Sequence, residues 1–162
     1  MGKILSIDPG RELGYAIMDS KDGLLNYGIY RSDAFHRFAA LNDYANFLED
    51  LVAEQEAGGP ELQAILCEEV LQGSCNLRSD TAVFWLLGTY LAAGLVADRA
   101  GVKFETIHPA TIKKHMAGQG RATKDEMIAA VSVSYGLAFK LSESHIADAV
   151  SLGDCYFARQ LA

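Results

Sequence analysis

The sequence is poor in cysteine, and its thiols do not form pairs. Three cysteines occur among 162 residues. They are Cys67, Cys75 and Cys155, and no two of them stand in a Cys-x-x-Cys spacing. Because an odd number of widely spaced thiols supports neither a disulfide framework nor a zinc cage, we expect reduced cysteines.

The sequence also has no long uninterrupted apolar run and no leader-like start. A membrane-spanning helix needs about 20 consecutive apolar residues, and we expect no segment here to reach that length. A signal peptide would begin with a basic segment followed by an apolar one, which this N-terminus lacks. Half of the 162 residues are hydrophobic, enough to bury a sizeable core. The composition predicts a single domain, residues 1–162, in the cytoplasm and without a membrane partner.

Positive charge is scarce as well. The chain has 14 lysines and arginines against 21 aspartates and glutamates, a formal net charge of −7. Because proteins bind phosphate backbones through lysine and arginine, this balance argues against a nucleic-acid partner. The distribution argues the other way, since residues 111–124 contain no acid and hold Lys113, Lys114, Arg121 and Lys124. The segment is either a DNA-binding surface or a solvated basic loop.

One stretch near the N-terminus organises the rest. Residues 4–7 are mostly apolar, as in a central strand covered on both faces, and Pro9 and Gly10 end the run directly after Asp8. We therefore expect this carboxylate at the mouth of a sheet, where a rigid strand would hold it as a metal anchor. A strand-end aspartate that merely caps its turn is the alternative.

Hydrophobic periodicity predicts the remaining elements. Strands are expected at residues 4–7, 13–18, 24–30, 62–70 and 102–107. Helices are expected at residues 35–56 and 79–99, after Pro109, and from a cap at Ser142 or Ser144. The first three strands would form an antiparallel meander, and the last strand would run parallel to the first. The fold class is therefore α/β.

Acidic side chains stand where these elements end or begin. Glu68 and Glu69 end the fourth strand and must face opposite ways, because side chains alternate along a strand, so only one of them can share a site with Asp8. His145 and Asp148 are three apart and share one face of the last helix. Three separate elements thus offer ligands that hard divalent cations prefer. A His–Asp pair by itself is more often a local surface interaction.

The helix at residues 79–99 is apolar almost all the way round, unlike a surface helix with one buried stripe. Either it is sandwiched inside the domain or its outer face meets another subunit. For a small domain the second explanation is the more economical. It predicts a homodimer with Phe84, Trp85 and Leu91 or their neighbours on the shared surface, where Gly88 and Gly94 would permit close approach.

Four segments together resemble the RuvC-type Holliday-junction resolvases, a family of ribonuclease-H-like nucleases. They follow the family's order over nearly the whole chain, and they are Ser6-Ile-Asp-Pro-Gly10 with Gly14-Tyr-Ala16, Cys67-Glu-Glu-Val70, residues 112–124, and His145-Ile-Ala-Asp-Ala-Val150. The resemblance implies a ribonuclease-H-like five-stranded mixed sheet, a three-strand antiparallel meander plus two parallel strands, flanked by helices. The chain departs from the family pattern at residues 71–87, and Leu71 stands near the position where the family often has an aromatic wedge.

The resemblance also implies an activity, that of a structure-selective endodeoxyribonuclease which resolves four-way DNA junctions by paired, symmetric strand cuts. Two Mg²⁺ ions, for which Mn²⁺ can substitute, would share Asp8. The implied metal ligands and catalytic residues are Asp8, Glu68, His145 and Asp148. The implied DNA contacts are Lys113 and Lys124 beside the cleaved strand, with Lys114 and Arg121 as accessory phosphate contacts. A two-fold homodimer would supply two sites for opposed strands.

Two other functions remain open on the sequence. A related ribonuclease-H-like nuclease would act on other branched DNA or on structured RNA, and the altered segment after Glu68 leaves room for it. A non-catalytic junction-binding protein would have a decayed site, whereas all four ligand positions here carry metal-binding groups. A kinase or ATPase of the actin-like superfold begins similarly but needs two such domains, for which 162 residues are too few.

Overall fold

The computed structural model describes residues 2–57, 61–70 and 79–161. Strands and helices follow one another along these residues in the predicted order. The strands are β1 (Lys3–Asp8), β2 (Leu13–Asp19), β3 (Gly23–Tyr30), β4 (Leu62–Glu68) and β5 (Lys103–Ile107). The helices are α1 (Arg37–Ala57), α2 (Asp80–Ala100), α3 (Pro109–Ala117), α4 (Lys124–Tyr135) and α5 (Ser144–Gln160), with a 3₁₀ turn at Leu141–Glu143.

The strands form one mixed sheet in the order β3-β2-β1-β4-β5. β1, β2 and β3 pair antiparallel, whereas β4 pairs parallel with β1 and β5 pairs parallel with β4. The predicted five-stranded mixed sheet is therefore confirmed, although β4 ends at Glu68 and not at residue 70. β1 lies in the middle of the sheet, which explains its continuous apolar run, since Ile4, Leu5 and Ile7 are each at most 1% exposed.

Two layers of helices cover the sheet. Alternate side chains of β1 enter different cores, because Leu5 and Ile7 pack with α1 and α2, whereas Ile4 packs with α3, α4 and α5. The acidic helix α1 and the basic segment at residues 111–124 therefore lie on opposite faces of the sheet. This separation reconciles a net charge of −7 with a local basic surface.

α5 lies very close to β2. A Cβ atom at Gly14 would stand 2.1 Å from the carbonyl oxygen of His145, so only glycine lets the first turn of α5 rest on the strand. Further along the helix, a Cβ atom at Gly153 would stand 2.4 Å from the sulfur of Met18. These two close approaches set the distance between α5 and the sheet. They therefore also set the position of the side chains on the first turn of α5.

α2 has the length and composition of a membrane span. It has 21 residues, and its most apolar stretch of 18 residues has a mean hydropathy of 1.4, so the expectation that no segment reaches spanning length is wrong. Length and composition alone are weak grounds for a membrane, because core helices meet the same criteria. Gly88 permits close packing inside the chain, since a Cβ atom there would stand 2.7 Å from Leu41 of α1. A Cβ atom at Gly94 would stand 3.7 Å from Phe104 of β5, which is an ordinary contact.

The outer face of α2 carries a leucine stripe. Leu87, Leu91 and Leu95, spaced four residues apart, are 37%, 61% and 57% exposed. Trp85, one of the expected interface residues, is half-buried and packs edge-on against Tyr44, with 6.1 Å between the ring centroids. The apolar circumference of α2 thus has two causes, an inner face packed in the core and an outer face uncovered in the single chain.

The start of α5 differs from the sequence expectation. Neither Ser142 nor Ser144 caps the helix, because Ser142 lies in the 3₁₀ turn and Ser144 is the first helical residue. The N-cap is Glu143, whose side chain makes no capping bond. The 3₁₀ turn runs straight into the helix, and its Leu141 carbonyl accepts the N–H of Ser144. Serine caps typically require an extended entry into the helix, which the turn replaces.

Two sequence expectations fall on residues that the structure does not describe. Leu71, near the wedge position, and Cys75 both belong to residues 71–78, outside the described ranges. The other two cysteines, Cys67 and Cys155, are buried and free. Burial and then the charges of Asp8 and Glu68 raise the pKa of Cys67 well above its usual value, so this thiol stays protonated and unreactive.

Candidate active site

Asp8 is the last residue of β1, at the point where the strand leaves the sheet. It stands opposite Gly14 of β2. The turn between the two strands is held from the layer of α1, because the phenol of Tyr44 donates a hydrogen bond to the carbonyl oxygen of Arg11. Tyr44 is 1% exposed. The sheet therefore holds the backbone of Asp8 and the buried tyrosine holds the turn that follows it, while the side chain of Asp8 is 18% exposed at the sheet edge.

Glu68 ends the neighbouring strand β4. From Ile4 and Ala64 onwards, β1 and β4 pair in parallel without a shift up to the residues before Asp8 and Glu68, so these two carboxylates meet at the same edge of the sheet. Glu68 lines the same cleft as His145, and Glu69 does not. Both glutamates line an adjoining pocket, which also contains Asp8 and Leu86 of α2. The expectation that only one glutamate can share a site with Asp8 holds for the cleft at α5. It is wrong for the adjoining pocket, because β4 ends at Glu68 and the alternation of side chains along a strand no longer constrains Glu69.

α5 brings two further side chains towards Asp8 with its first turn. The ring nitrogen Nδ1 of His145 lies 2.6 Å from Oδ2 of Asp8, and its Nε2 lies 3.8 Å from Oε2 of Glu12. Asp148, three residues further along the same face, lines the same cleft. The histidine and the aspartate are therefore not an isolated surface pair, since they share one site with Asp8.

These groups meet in a cleft of about 280 Å³. Its lining residues are Asp8, Pro9, Glu68, Lys113, Lys124, Met127, His145 and Asp148. Every residue predicted as a metal ligand is in this set, and so are two of the predicted DNA contacts. Lys113 comes from α3, and Lys124 is the first residue of α4. Five elements of the fold, β1, β4, α3, α4 and α5, thus converge on the cleft.

Negative charge is crowded in this cleft. Burial and then the charges of Asp8 and Asp148 raise the pKa of Glu68 to about 7, against an opposing effect of Lys113. Burial and then the charge of Asp8 raise the pKa of Asp148 to about 6, against the nearby basic groups. The hydrogen bond to Asp8 raises the pKa of His145 above its usual value, although burial lowers it. The basic side chains at the cleft therefore offset only part of the negative charge.

The carboxylate oxygens of the cleft could bind a divalent cation, because they are of the preferred ligand type and lie close together. Carboxylate oxygens are the preferred ligands of Mg²⁺ and Mn²⁺, and a cation would relieve the repulsion that raises the carboxyl pKa values. In the described part of the chain, no three histidine, cysteine, aspartate or glutamate side chains are arranged to hold an ion as they are now oriented. In the structure, Nδ1 of His145 and Oδ2 of Asp8 are hydrogen-bonded to each other. A cation bound at either atom would therefore have to replace this hydrogen bond.

The four predicted DNA contacts fall into two groups. Lys113 is half-buried in the cleft, and Lys124 donates a hydrogen bond to the hydroxyl of Ser144 over 3.3 Å. Lys114 and Arg121 are exposed and do not line the cleft. Lys113 and the exposed Lys124 line the cleft beside the carboxylates, whereas the other two basic residues lie outside it.

Three residues at the site were not expected from the sequence, and they are Glu12, Ser144 and Met127. Glu12 faces His145, Ser144 accepts the hydrogen bond from Lys124, and Met127 is a buried part of the cleft wall. Glu12 lies in the turn after the predicted metal anchor, and this position was a usable signal. The other two are brought to the cleft by the packing of α4 and α5, which local patterns do not report.

Several curated proteins that are similar to this chain share one name. The chain is 32% identical over 161 residues to the crossover junction endodeoxyribonuclease RuvC of Anaeromyxobacter sp. (strain Fw109-5), with 96% of this chain and 73% of that protein covered. It is 30% identical over 161 residues to the RuvC of Moorella thermoacetica, with 94% and 89% covered. Among solved structures, T. thermophilus RuvC in complex with Holliday junction substrate matches with a TM-score of 0.78 at 18% identity, over 100% of this chain and 97% of that one.

The structural match bears on the fold, because its sequence identity is low. It identifies the sheet and its helices as ribonuclease-H-like, as the sequence resemblance implied. A comparison with protein-family profiles found no match. The relationship to named proteins therefore stands on the alignments with individual sequences, which extend over nearly the whole chain.

Proposed function

This chain belongs to the RuvC family of crossover junction endodeoxyribonucleases, and we propose that it resolves four-way (Holliday) DNA junctions by paired, symmetric cuts in opposed strands. It is a hydrolase of phosphodiester bonds, selective for DNA structure. The observation that carries the proposal is the cleft in which all four predicted metal ligands meet beside two lysines. This cleft combines cation-binding groups and phosphate-binding groups at one edge of the sheet.

We propose that the cleft holds two divalent ions, Mg²⁺ with Mn²⁺ as a substitute. Asp8 would bind both, because it lies between Glu68 of the adjacent strand and the first turn of α5. Glu68, His145 and Asp148 would complete the ligand set. When bound, such a pair of ions stabilises charge on the attacking and leaving oxygens of an in-line hydrolysis. The raised pKa values of Glu68 and Asp148 support the proposal, since they reflect burial and then mutual repulsion among carboxylates, which a bound cation would relieve.

We propose that the basic residues receive the DNA backbone. Lys113 lowers the pKa of Glu68, so its charge acts on the carboxylates and would also attract a phosphate towards them. Lys124 lines the same cleft and would share this task. Lys114 and Arg121, exposed outside the cleft, would contact phosphates further along the strand. α1, with its acidic side chains, lies on the other face of the sheet and would stay away from the DNA.

We propose that the protein acts as a homodimer through α2. A four-way junction has approximate two-fold symmetry, and cutting opposed strands needs two equivalent sites, which a two-fold dimer supplies. The exposed stripe of Leu87, Leu91 and Leu95 supports α2 as the interface, because a second copy would cover this apolar surface. We place the protein in the cytoplasm, together with the DNA on which it acts.

A cleavage assay on labelled substrates tests the proposal. The substrates are a four-way junction, a linear duplex, a flap and a structured RNA, each incubated with Mg²⁺ or with EDTA. We expect paired cuts in the junction alone, and only with Mg²⁺. Preferred cutting of the flap or the RNA would instead identify a related ribonuclease-H-like nuclease. Tight junction binding without cutting in Mg²⁺ or Mn²⁺ would identify a non-catalytic junction-binding protein.

A further inference from the structure

A second carboxylate, that of Glu12, stands on the far side of His145 from Asp8. Glu12 lies in the turn between β1 and β2 and is not part of the proposed ligand set. Its Oε2 lies 3.8 Å from Nε2 of His145, and its Oε1 lies 3.2 Å from Nη1 of Arg31, the residue after β3. Because Nδ1 lies 2.6 Å from Asp8, the imidazole has one carboxylate at each ring nitrogen.

The two contacts of the ring differ in kind. The contact with Asp8 is a hydrogen bond, whereas 3.8 Å to Glu12 is an ion-pair distance and too long for a hydrogen bond. Contacts of this kind are often long before substrate binds and shorten in the working complex. Arg31 and Glu12 are 51% and 41% exposed, and exposed ion pairs add little to stability. The position of the pair behind the ring therefore matters more than its strength.

We propose that Glu12 is a positioning residue that orients the imidazole of His145, and that Arg31 holds Glu12 in place. The inference rests on the proposed function, in which His145 is a metal ligand. A histidine ligand almost always donates its other ring N–H to a carboxylate, a carbonyl or water, and this partner decides which nitrogen is free to bind. With Glu12 behind Nε2, the ring presents Nδ1 to the cleft. Loss of such a partner lowers metal affinity by about 10- to 100-fold.

Substitutions at Arg31 separate positioning from simple electrostatics. Arg31→Gln makes the mouth of the cleft more negative, so charge alone would tighten cation binding. If Arg31 acts by holding Glu12, the same substitution weakens cation binding. Glu12→Gln removes the charge but keeps an oxygen that can accept a hydrogen bond from the Nε2–H group, so positioning predicts a smaller loss for Glu12→Gln than for Glu12→Ala.

The test measures Mn²⁺ binding to the DNA-free protein by electron paramagnetic resonance. The control is Glu49→Ala, which breaks another exposed pair, in which Arg99 lies 2.8 Å from Glu49 in the layer of α1 and α2. We expect Glu12→Ala to bind Mn²⁺ at least about 10-fold more weakly than the wild type. Glu12→Gln should lose less, Arg31→Gln should bind more weakly than the wild type, and Glu49→Ala should be unchanged.

Imidazole ¹⁵N NMR supplies a readout of ring orientation that a merely structural role would not change. In saturating Mg²⁺, His145 of the wild type should carry its proton on Nε2, whereas Glu12→Ala should show a mixture of both tautomers. The inference is overturned if Glu12→Ala matches the wild type in Mn²⁺ affinity and tautomer, or if Arg31→Gln binds Mn²⁺ more tightly. If the wild type itself binds no Mn²⁺, the proposed metal-dependent function fails as well, so the two failures are distinguishable.

Discussion

Single side chains decide how the cleft carries its charge. Asp8, Glu68 and Asp148 bring three carboxylates together at one edge of the sheet. Burial and mutual repulsion disfavour their ionised forms, so the pKa values of Glu68 and Asp148 rise to about 7 and about 6. The charges that would attract divalent cations also repel DNA phosphates. Binding and chemistry therefore make opposite demands on the same residues.

Asp8→Asn should separate these two demands. The substitution keeps the shape of the side chain and removes its charge, so cleavage in Mg²⁺ should be abolished. Junction affinity in EDTA, measured by fluorescence anisotropy, should equal or exceed that of the wild type because one repulsive charge is gone. A folded variant that loses affinity together with cleavage, or that still cuts near the wild-type rate, would contradict the role of Asp8.

Stability without metal should depend on pH through Glu68. Its pKa of about 7 lies above the ordinary value of 4.5, so the folded state binds more protons than the unfolded state between these values, and the free energy of unfolding falls as the pH rises through them. The raised pKa of His145 acts in the same direction, because its contribution is lost as the pH rises through the folded value.

Thermal unfolding in EDTA checks this dependence. Glu68→Gln removes the titrating group, so its Tm should change less between about pH 5 and about pH 8 than that of the wild type. The sign matters, because the substitution should stabilise the protein mainly at the higher pH. If Tm depends on pH equally in the two proteins, the pKa of Glu68 is not raised in the folded state.

The side chains of the cleft meet because α3, α4 and α5 pack closely on the sheet and on one another. α5 rests on β2 at Gly14, and this contact brings His145 to Asp8. α3 and α4 pack against α5 in the same core and bring Lys113 and Lys124 to the other wall of the cleft. The site therefore depends on the spacing between elements as much as on the residues that they carry.

Gly14→Ala tests this spacing directly. A Cβ atom there would stand 2.1 Å from the carbonyl oxygen of His145, so the helix must move, at a cost of about 1–3 kcal/mol or more in the free energy of unfolding. Gly10→Ala is the matched control in the adjoining turn, because its Cβ atom would stand 3.5 Å from the carbonyl oxygen of Glu12, an ordinary contact. Urea denaturation should show a large loss for Gly14→Ala and a small change for Gly10→Ala.

Lys113→Ala and Lys124→Ala should affect cleavage more than binding. Each removes about one phosphate contact, so junction affinity should fall only modestly, whereas cleavage at saturating DNA should fall strongly because both side chains line the cleft. Lys114→Ala is the control, since it removes the same charge from an exposed position outside the cleft. If Lys113→Ala and Lys124→Ala cut at the wild-type rate under saturating DNA, these lysines do not act at the cleaved strand.

Across the whole molecule, the sheet separates the proposed dimer surface from the proposed DNA surface. The leucine stripe on α2 belongs to the layer of α1 and α2, whereas α3, α4 and α5 on the other face supply the lysines and the histidine of the cleft. A dimer formed through α2 would therefore leave the cleft of each protomer open. Two open clefts related by a two-fold axis are what paired cutting of a junction requires.

Leu91→Glu should break the proposed dimer. Leu91 is 61% exposed in the middle of the leucine stripe, so a charge there would not disturb the core but would have to be buried at an interface, at a high cost. Light scattering should show a monomer, and the junction should be nicked once and not cut in pairs. Val133→Glu is the control, because Val133 is 85% exposed on α4, in the other helix layer. A dimeric Leu91→Glu protein with paired cleavage would exclude this interface.

The order of strands and helices was predictable from the sequence because local hydrophobic patterns determine it. Hydrophobic period distinguishes strands from helices, and the continuous run of β1 marks a strand covered on both faces. The same patterns placed Asp8 and Glu68 at strand ends. Residue chemistry grouped them with His145 and Asp148 as candidate ligands from three elements. The family resemblance then implied that all four share one site, since no periodicity joins segments that lie so far apart.

Only the tertiary structure decided which distant groups touch. Asp8 and His145 are 137 residues apart, yet their side chains lie 2.6 Å from each other. The pairing of Glu12 with His145 and Arg31 and the use of Gly88 against Leu41 inside the chain follow from the same cause. Each depends on how closely two elements pack, and packing distance is set by side-chain volumes from several segments at once. A local pattern reports whether a residue is buried, but not what it is buried against.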